Sequence, residues 1–152
     1  VHMIQFLKSG FTGELASSKK LGFTIEQFGG DALKEKQKHI QEFADRTGAF
    51  VFNPDVKEKE AALEGWEHAK NIIKSGDYDM VILDEINCVL AKGLIPLQEV
   101  IDIIKNHGKV ELVLTGRDAP KELMEIADYV NVVQGIKHPW QKGVVARKGV
   151  EY

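Results

Sequence analysis

The chain has 152 residues, 43% of them hydrophobic and 28% charged, the balance of one globular domain over residues 1–152 and not of a disordered or fibrous chain. Its single cysteine, Cys88, has no partner for an internal bridge, which excludes a disulfide scaffold and the usual C-x-x-C zinc frameworks. Twenty Lys and Arg against 23 Asp and Glu leave a net charge of −3, and without a long basic run the chain is expected to bind no nucleic acid.

Val1 to Leu7 reads as a strand, and Lys8-Ser9-Gly10-Phe11-Thr12-Gly13 as a glycine-punctuated loop. A short helix is predicted over Glu14 to Lys20, stopped by Gly22. Phe23 to Phe28 alternates apolar and polar residues, as a half-buried strand does, and Gly29-Gly30 ends it. From Asp31 to Arg46 a helix is predicted, with Leu33, Ile40, Phe43 and Ala44 on one side and charge on the others. Asn53-Pro54-Asp55 then opens a further helix, because Asn caps, Pro suits the first helical position and an acid favours the positive end of the dipole. That helix is predicted to run to about Lys74, with Val56, Leu63, Trp66, Ala69 and Ile73 inward and Trp66 as a core anchor.

Ser75-Gly76-Asp77 breaks the chain before a buried strand, Tyr78 to Leu83. A helix from Pro96 to Asn106 turns Leu97, Val100, Ile101 and Ile104 inward, and Lys109 to Leu114 is the next strand. After the turn Thr115 to Pro120 come a helix through Ala127, a short strand from Tyr129 to Val133, and an irregular tail from Gln134 to Tyr152. Strands separated by helices predict an α/β fold with a mainly parallel sheet and helices on both faces, since a parallel crossover needs a helix-sized connection. No apolar run nears the roughly 18 residues of a membrane span, and the opening lacks the pattern of a signal peptide, so a cytoplasmic protein without a membrane partner is expected.

The sharpest chemical signal is Met80-Val81-Ile82-Leu83-Asp84-Glu85, an apolar strand ending in two carboxylates. Ligands of open parallel sheets collect beyond the carboxyl ends of the strands, so acids emerging there are placed to hold Mg²⁺ beside nucleotide phosphates, as in a Walker-B strand. The competing reading is that Asp84 caps the next helix. Thr115-Gly116-Arg117 follows the neighbouring strand and would bring a hydroxyl and a guanidinium to the same edge, the alternative being a surface Arg117 paired with Asp118. No Walker-A loop is present: the Gly-Lys pair Gly108-Lys109 precedes a strand instead of opening a helix. Nor does a G-x-G-x-x-G fingerprint occur, and Gly10-Phe11-Thr12-Gly13 is most simply an ordinary turn. The five histidines show no metal-pair spacing on one helix and no serine nucleophile elbow exists, so hydrolytic triads are unsupported. His138, beside Pro139 and Trp140, is the histidine best suited to a ligand contact.

Taken together, Asp79 to Asn87, Pro96 to Val100, Leu114-Thr115-Gly116-Arg117, Ala127-Asp128 and Lys137-His138-Pro139 closely resemble the P-loop-type corrinoid adenosyltransferases. Gly143, Ala146, Lys148, Gly149, Glu151 and Tyr152 extend the likeness, and Gln5-Phe6-Leu7-Lys8 with Gly13-Glu14-Leu15 is similar to the family's second strand and following loop. The resemblance implies a P-loop NTPase (RecA-like) architecture in which a first strand and Walker-A loop precede the segment matching Val1, so the chain is expected to be N-terminally incomplete. It implies transfer of the 5′-deoxyadenosyl group from ATP to the cobalt(I) of cob(I)alamin or of cobinamide or cobyrinic acid diamide, with triphosphate leaving. Asp84 and Glu85 would then position Mg²⁺, Thr115, Gly116 and Arg117 the nucleotide, and Phe50, Phe52, His138 and Trp140 the corrinoid. A flavoprotein reductant and a homodimer complete the implied picture. The rival readings are a RecA-like regulatory domain that binds nucleotide without turnover, and a simple NTPase.

Overall fold

The computed structural model describes residues 1–10, 13–29 and 56–144. In chain order the elements are β1 (His2–Phe6), α1 (Gly13–Leu21), β2 (Thr24–Phe28), α2 (Val56–Ser75), β3 (Met80–Asp84), α3 (Ile86–Ala91), α4 (Leu97–Lys105), β4 (Glu111–Leu114) and α5 (Lys121–Ile126), followed by a 3-10 turn, Pro139–Lys142. The four strands form one sheet in the order β2-β1-β3-β4, and every pairing is parallel. The expected α/β class is therefore what the chain adopts. The helix predicted over Asp31 to Arg46 and the cap Asn53-Pro54-Asp55 lie outside the described residues.

Strand order explains where a site can form. From β1 the chain moves outward to β2, then returns past β1 to β3 and on to β4. Right-handed crossovers then put α1 on one face and α2, α3 and α4 on the other. The connections leaving β1 and β3 thus diverge to opposite faces, which makes the carboxyl ends of these two adjacent strands the topological switch point of an open sheet, where such sheets bind ligands.

The core lies on the α2 face. Ile4, Phe6, Val81 and Leu83 alternate inward from β1 and β3 and meet Ala62, Trp66, Ala69 and Ile73 of α2, all buried. Trp66 is fully buried, and its indole N–H donates to Glu99 Oε2 at 3.0 Å, so the anchor expected from the sequence is also polar-satisfied. Gly65 lets α2 approach closely: a Cβ there would stand 2.9 Å from Phe28 and 3.0 Å from the Phe6 ring. Glu58, buried on α2, is ion-paired with Lys92 at the end of α3 and ties these helices together.

Three expectations are corrected. Val56 and Leu63 do not face inward but are 70% and 38% exposed, because the stripe of α2 passes through Ala62, Gly65, Trp66, Ala69 and Ile73 instead. The short helix α3 was not anticipated; it follows β3 with only Glu85 between them. Tyr129 to Val133 is not a strand: no described strand pairs with it, and Tyr129, Val132 and Val133 are exposed. An apolar run satisfies the strand pattern, but a strand exists only where a neighbouring edge accepts its backbone groups.

Candidate functional site

Asp84 is the last residue of β3 and lies beside Gln5 of β1 in the parallel register, at the switch point. Alternation turns both away from the α2 face, toward α1. Asp84 Oδ1 accepts the Thr115 hydroxyl at 2.7 Å, while Oδ2 accepts Lys8 Nζ at 2.7 Å and Gln5 Nε2 at 3.0 Å. Gln5, itself buried, also donates to Glu14 Oε1 at 3.1 Å and receives Gln27 Nε2 on its carbonyl oxygen at 3.0 Å. Lys8 lies 3.4 Å from the same Glu14 oxygen, so one ammonium bridges an acid of α1 and the acid of β3.

The electrostatics follow from this wiring. Burial alone would raise the Asp84 pKa, yet the hydrogen bonds from Lys8 and Thr115, the Lys8 charge and the Gln5 amide outweigh it, and the carboxyl sits below its ordinary value. Burial likewise works against the Lys8 ammonium, but Asp84 and Glu14 hold its pKa above the usual one. At neutral pH the node therefore carries a fixed carboxylate and a fixed ammonium.

Asp84 is not a helix cap. The N-cap of α3 is Glu85, in the left-handed region at φ 66°, and no side chain caps that helix. Its N–H donates to Thr115 Oγ1 at 3.1 Å, and its carboxylate lies 2.7 Å from Cys88 Sγ, one turn into α3. Burial, followed by the Glu85 contact, pushes the Cys88 thiol up, which leaves it a poor nucleophile. Leu7, Glu85 and Asp118, the non-glycine residues with positive φ among the described ones, follow β1, β3 and β4 respectively. Such conformations cost on the order of 1–3 kcal/mol each and collect where a site is built.

Thr115 leaves β4 with its amide on Leu83 O and its carbonyl accepting the Asn87 amide, both at 3.1 Å, so β3, α3 and β4 are stitched at one point. Gly116 has φ 126°, and a Cβ there would come within 3.1 Å of Asn87 Cβ and 3.2 Å of the Cys88 amide nitrogen. The structure thus brings Asp84, Glu85, Thr115 and Gly116 together as the sequence suggested. Arg117 is at the same edge through its amide, 3.3 Å from Cys88 Sγ, but its side chain is exposed and makes no ion pair among the described residues, with Asp118 or otherwise. His138 is exposed at the start of the 3-10 turn, its amide donating to Gln141 Oε1 at 3.3 Å. Phe50, Phe52 and the Trp140 side chain lie outside the described residues.

Sequence reasoning missed Gln5, Lys8 and Glu14 as members of the site. A signal existed: Gln5 is a polar residue inside an apolar strand, and the strand's own polar exit carries Lys8.

Magnesium suits these donors. Asp84 and Thr115 offer hard oxygen atoms, and a cation held mainly through water and substrate phosphates needs only one or two carboxylates.

Comparison with known proteins adds a second line. The family model for the ATP:corrinoid adenosyltransferases BtuR/CobO/CobP matches residues 1–152. A corrinoid adenosyltransferase of Sinorhizobium sp. is 32% identical over 154 residues, covering 99% of this chain and 65% of that protein. The corrinoid adenosyltransferase of Escherichia coli K12 is 30% identical over 119 residues, 76% of this chain and 61% of the relative. One of Pseudomonas aeruginosa is 35% identical over 99 residues, 64% of this chain and 47% of the relative. The chain spans less than two thirds of the length of each of these relatives.

Proposed function

The chain belongs to the ATP:corrinoid adenosyltransferase family BtuR/CobO/CobP, and from that premise we propose that it transfers the 5′-deoxyadenosyl group of ATP to the cobalt(I) of a corrinoid. The corrinoid is cob(I)alamin, or cobinamide or cobyrinic acid diamide. The observation that carries this reading is Asp84, set at the switch point between β1 and β3 with Thr115 and Lys8 on its two oxygens. In the same proposal the sheet is of P-loop, RecA-like type and residues 1–152 form a single domain.

The cobalt–carbon bond forms as the bond between C5′ and its ester oxygen breaks, and triphosphate leaves with the electron pair. Cobalt(I) is itself a strong nucleophile, so the protein supplies no activated Ser, Cys or Lys. The protein's work is alignment of C5′ with the metal, neutralisation of the departing charge and exclusion of water. Asp84 and the Thr115 hydroxyl would hold Mg²⁺, whose charge offsets that of the triphosphate. Glu85 shapes the turn behind them, and its carboxylate would be a further oxygen donor to the cation. Lys8 and Arg117 bring positive charge to this edge, and Gly116 lets the turn after β4 pack closely on Asn87 and Cys88 of α3. Phe50, Phe52, His138 and Trp140 are the proposed corrinoid contacts. A flavoprotein reductant, a homodimer and a cytoplasmic setting belong to the same proposal. No described helix is long and apolar enough to cross a membrane.

Incubation of the protein with ATP, Mg²⁺ and chemically reduced cob(I)alamin tests the reaction class. Adenosylated corrinoid with an equal amount of intact triphosphate is the expected product pair. ADP and phosphate would make the chain an NTPase, and nucleotide binding without turnover would make it a regulatory domain.

A further inference from the structure

A second constellation lies on the opposite face of the sheet from Asp84. His2 opens β1, Glu26 is in the middle of β2, and His68 is on α2 above them. Their three ligand atoms all lie within 4.8 Å of one another. Glu26 Oε1 is 3.9 Å from His2 Nε2, and Glu26 Oε2 is 3.2 Å from His68 Nε2. Both imidazole Nε2 atoms are buried, and among the described residues neither has a hydrogen-bond partner. The short His68 contact is therefore too poorly aligned to be a hydrogen bond: the ring nitrogen and the carboxylate stand close without pointing at each other.

Two orphaned ring nitrogens beside one carboxylate are costly in a core that satisfies nearly all its other polar atoms. His2 is 1% exposed. Its Nδ1 lies 2.6 Å from Thr24 Oγ1, and when that contact is a donation from Nδ1–H, the lone pair is left on Nε2. A hydrogen bond on the far nitrogen is the arrangement that fixes a metal-binding histidine. Ring packing holds the orientation: His2 lies 4.9 Å from the Tyr78 ring and 5.8 Å from His68, which is 5.4 Å from the Phe28 ring.

We propose that His2, Glu26 and His68 bind a divalent first-row transition cation, with Zn²⁺ the best match, as a clip joining β1, β2 and α2. Two imidazoles and a carboxylate are the borderline donor set that Zn²⁺ prefers and that Mg²⁺ and Ca²⁺ do not. At ordinary bond lengths of roughly 2.0–2.2 Å, neighbouring ligands of a tetrahedral Zn²⁺ stand about 3.3 Å apart. The Glu26–His68 pair already has this spacing, and a small rotation of the exposed Glu26 side chain brings its other oxygen toward His2. Three protein ligands leave the fourth position to water. His2 precedes Gln5 by three residues, roughly 10 Å along β1, and faces the other side of the sheet, so the clip is separate from the nucleotide edge.

Isothermal titration of the metal-free protein with Zn²⁺ alone tests this. One equivalent is expected to bind, and His68→Phe, which keeps the ring packing, and Glu26→Gln should each weaken that event at least tenfold. Thr24→Val, which removes only the partner of the His2 ring, should weaken it by about 10–100-fold. Asp84→Asn should leave it unchanged. Zn²⁺ should also raise the Tm of the wild type and not that of His68→Phe. Equal Zn²⁺ binding by wild type and His68→Phe, with circular dichroism showing both folded, overturns the proposal, as does an absence of stoichiometric binding to the wild type. None of these readouts depends on the adenosyl-transfer reaction.

Discussion

Asp84 gathers three donors on one carboxylate, and each can be removed separately. Thr115 is the most informative, because its hydroxyl both donates to Asp84 and accepts the Glu85 amide. Thr115→Val keeps the shape but leaves a half-buried N–H and a carboxylate oxygen short of partners, and should cost about 1–3 kcal/mol in urea unfolding. A loss well under that range would mean that water replaces the hydroxyl at no cost. The charge pair makes a separate prediction through pH. Asp84's folded pKa lies below its ordinary 3.8, so its contribution to stability is full above that value and is lost as pH falls through the lower folded pKa. Lys8's folded pKa lies above 10.5, so its contribution is full below that value and is lost as pH rises through the higher folded pKa. The stability gap between wild type and Asp84→Asn should therefore be widest between these limits and narrow on the acid side below about pH 4. A gap unchanged across the acid limb would mean that the Lys8 pair does not stabilise the fold. At this scale Asp84, Glu85 and Thr115 were legible because each terminates an apolar run, a local signal. Gln5 and Lys8 stood out only as polar positions on an apolar strand and its exit, and their place in the site, like that of Glu14, was not legible, because only the non-local pairing of β1 with β3 and the packing of α1 bring them to Asp84.

Elements show where pattern succeeds and where it needs a partner. Helix α2 was readable from its apolar stripe, yet the stripe was placed partly on larger residues, Val56 and Leu63, where packing uses Ala62 and Gly65. Small residues face the sheet because α2 sits close to Phe28 and Phe6. Gly65→Ala should gain up to about 1 kcal/mol of helix propensity but force Cβ against backbone-near atoms of Phe28. Overpacking should dominate, with a net loss of about 1–2 kcal/mol by chemical denaturation. A more stable variant would show that α2 can move outward at little cost. Tyr129 to Val133 fails in the opposite way: its apolar pattern is strand-like, but no described strand runs beside it, so periodicity alone could not decide its state.

For the molecule as a whole, the order β2-β1-β3-β4 converts scattered polar residues into one site. Parallel class could be read from the alternation of strands and helices, but strand order could not, since it is set by which edges meet after the chain reverses direction. That reversal places Asp84 against Gln5 and Lys8, and puts the His2, Glu26 and His68 cluster on the other face. Family membership motivates the proposed reaction class, and the switch point supplies the residue on which the account rests. The direct measurement is the Mg²⁺-dependent rate of adenosylated corrinoid formation in Asp84→Asn against wild type, with urea unfolding confirming that both are folded. The account predicts a fall of about 100-fold or more, the scale on which loss of one preorganised electrostatic group acts on a transition state. An unchanged rate and an unchanged Mg²⁺ requirement would contradict it.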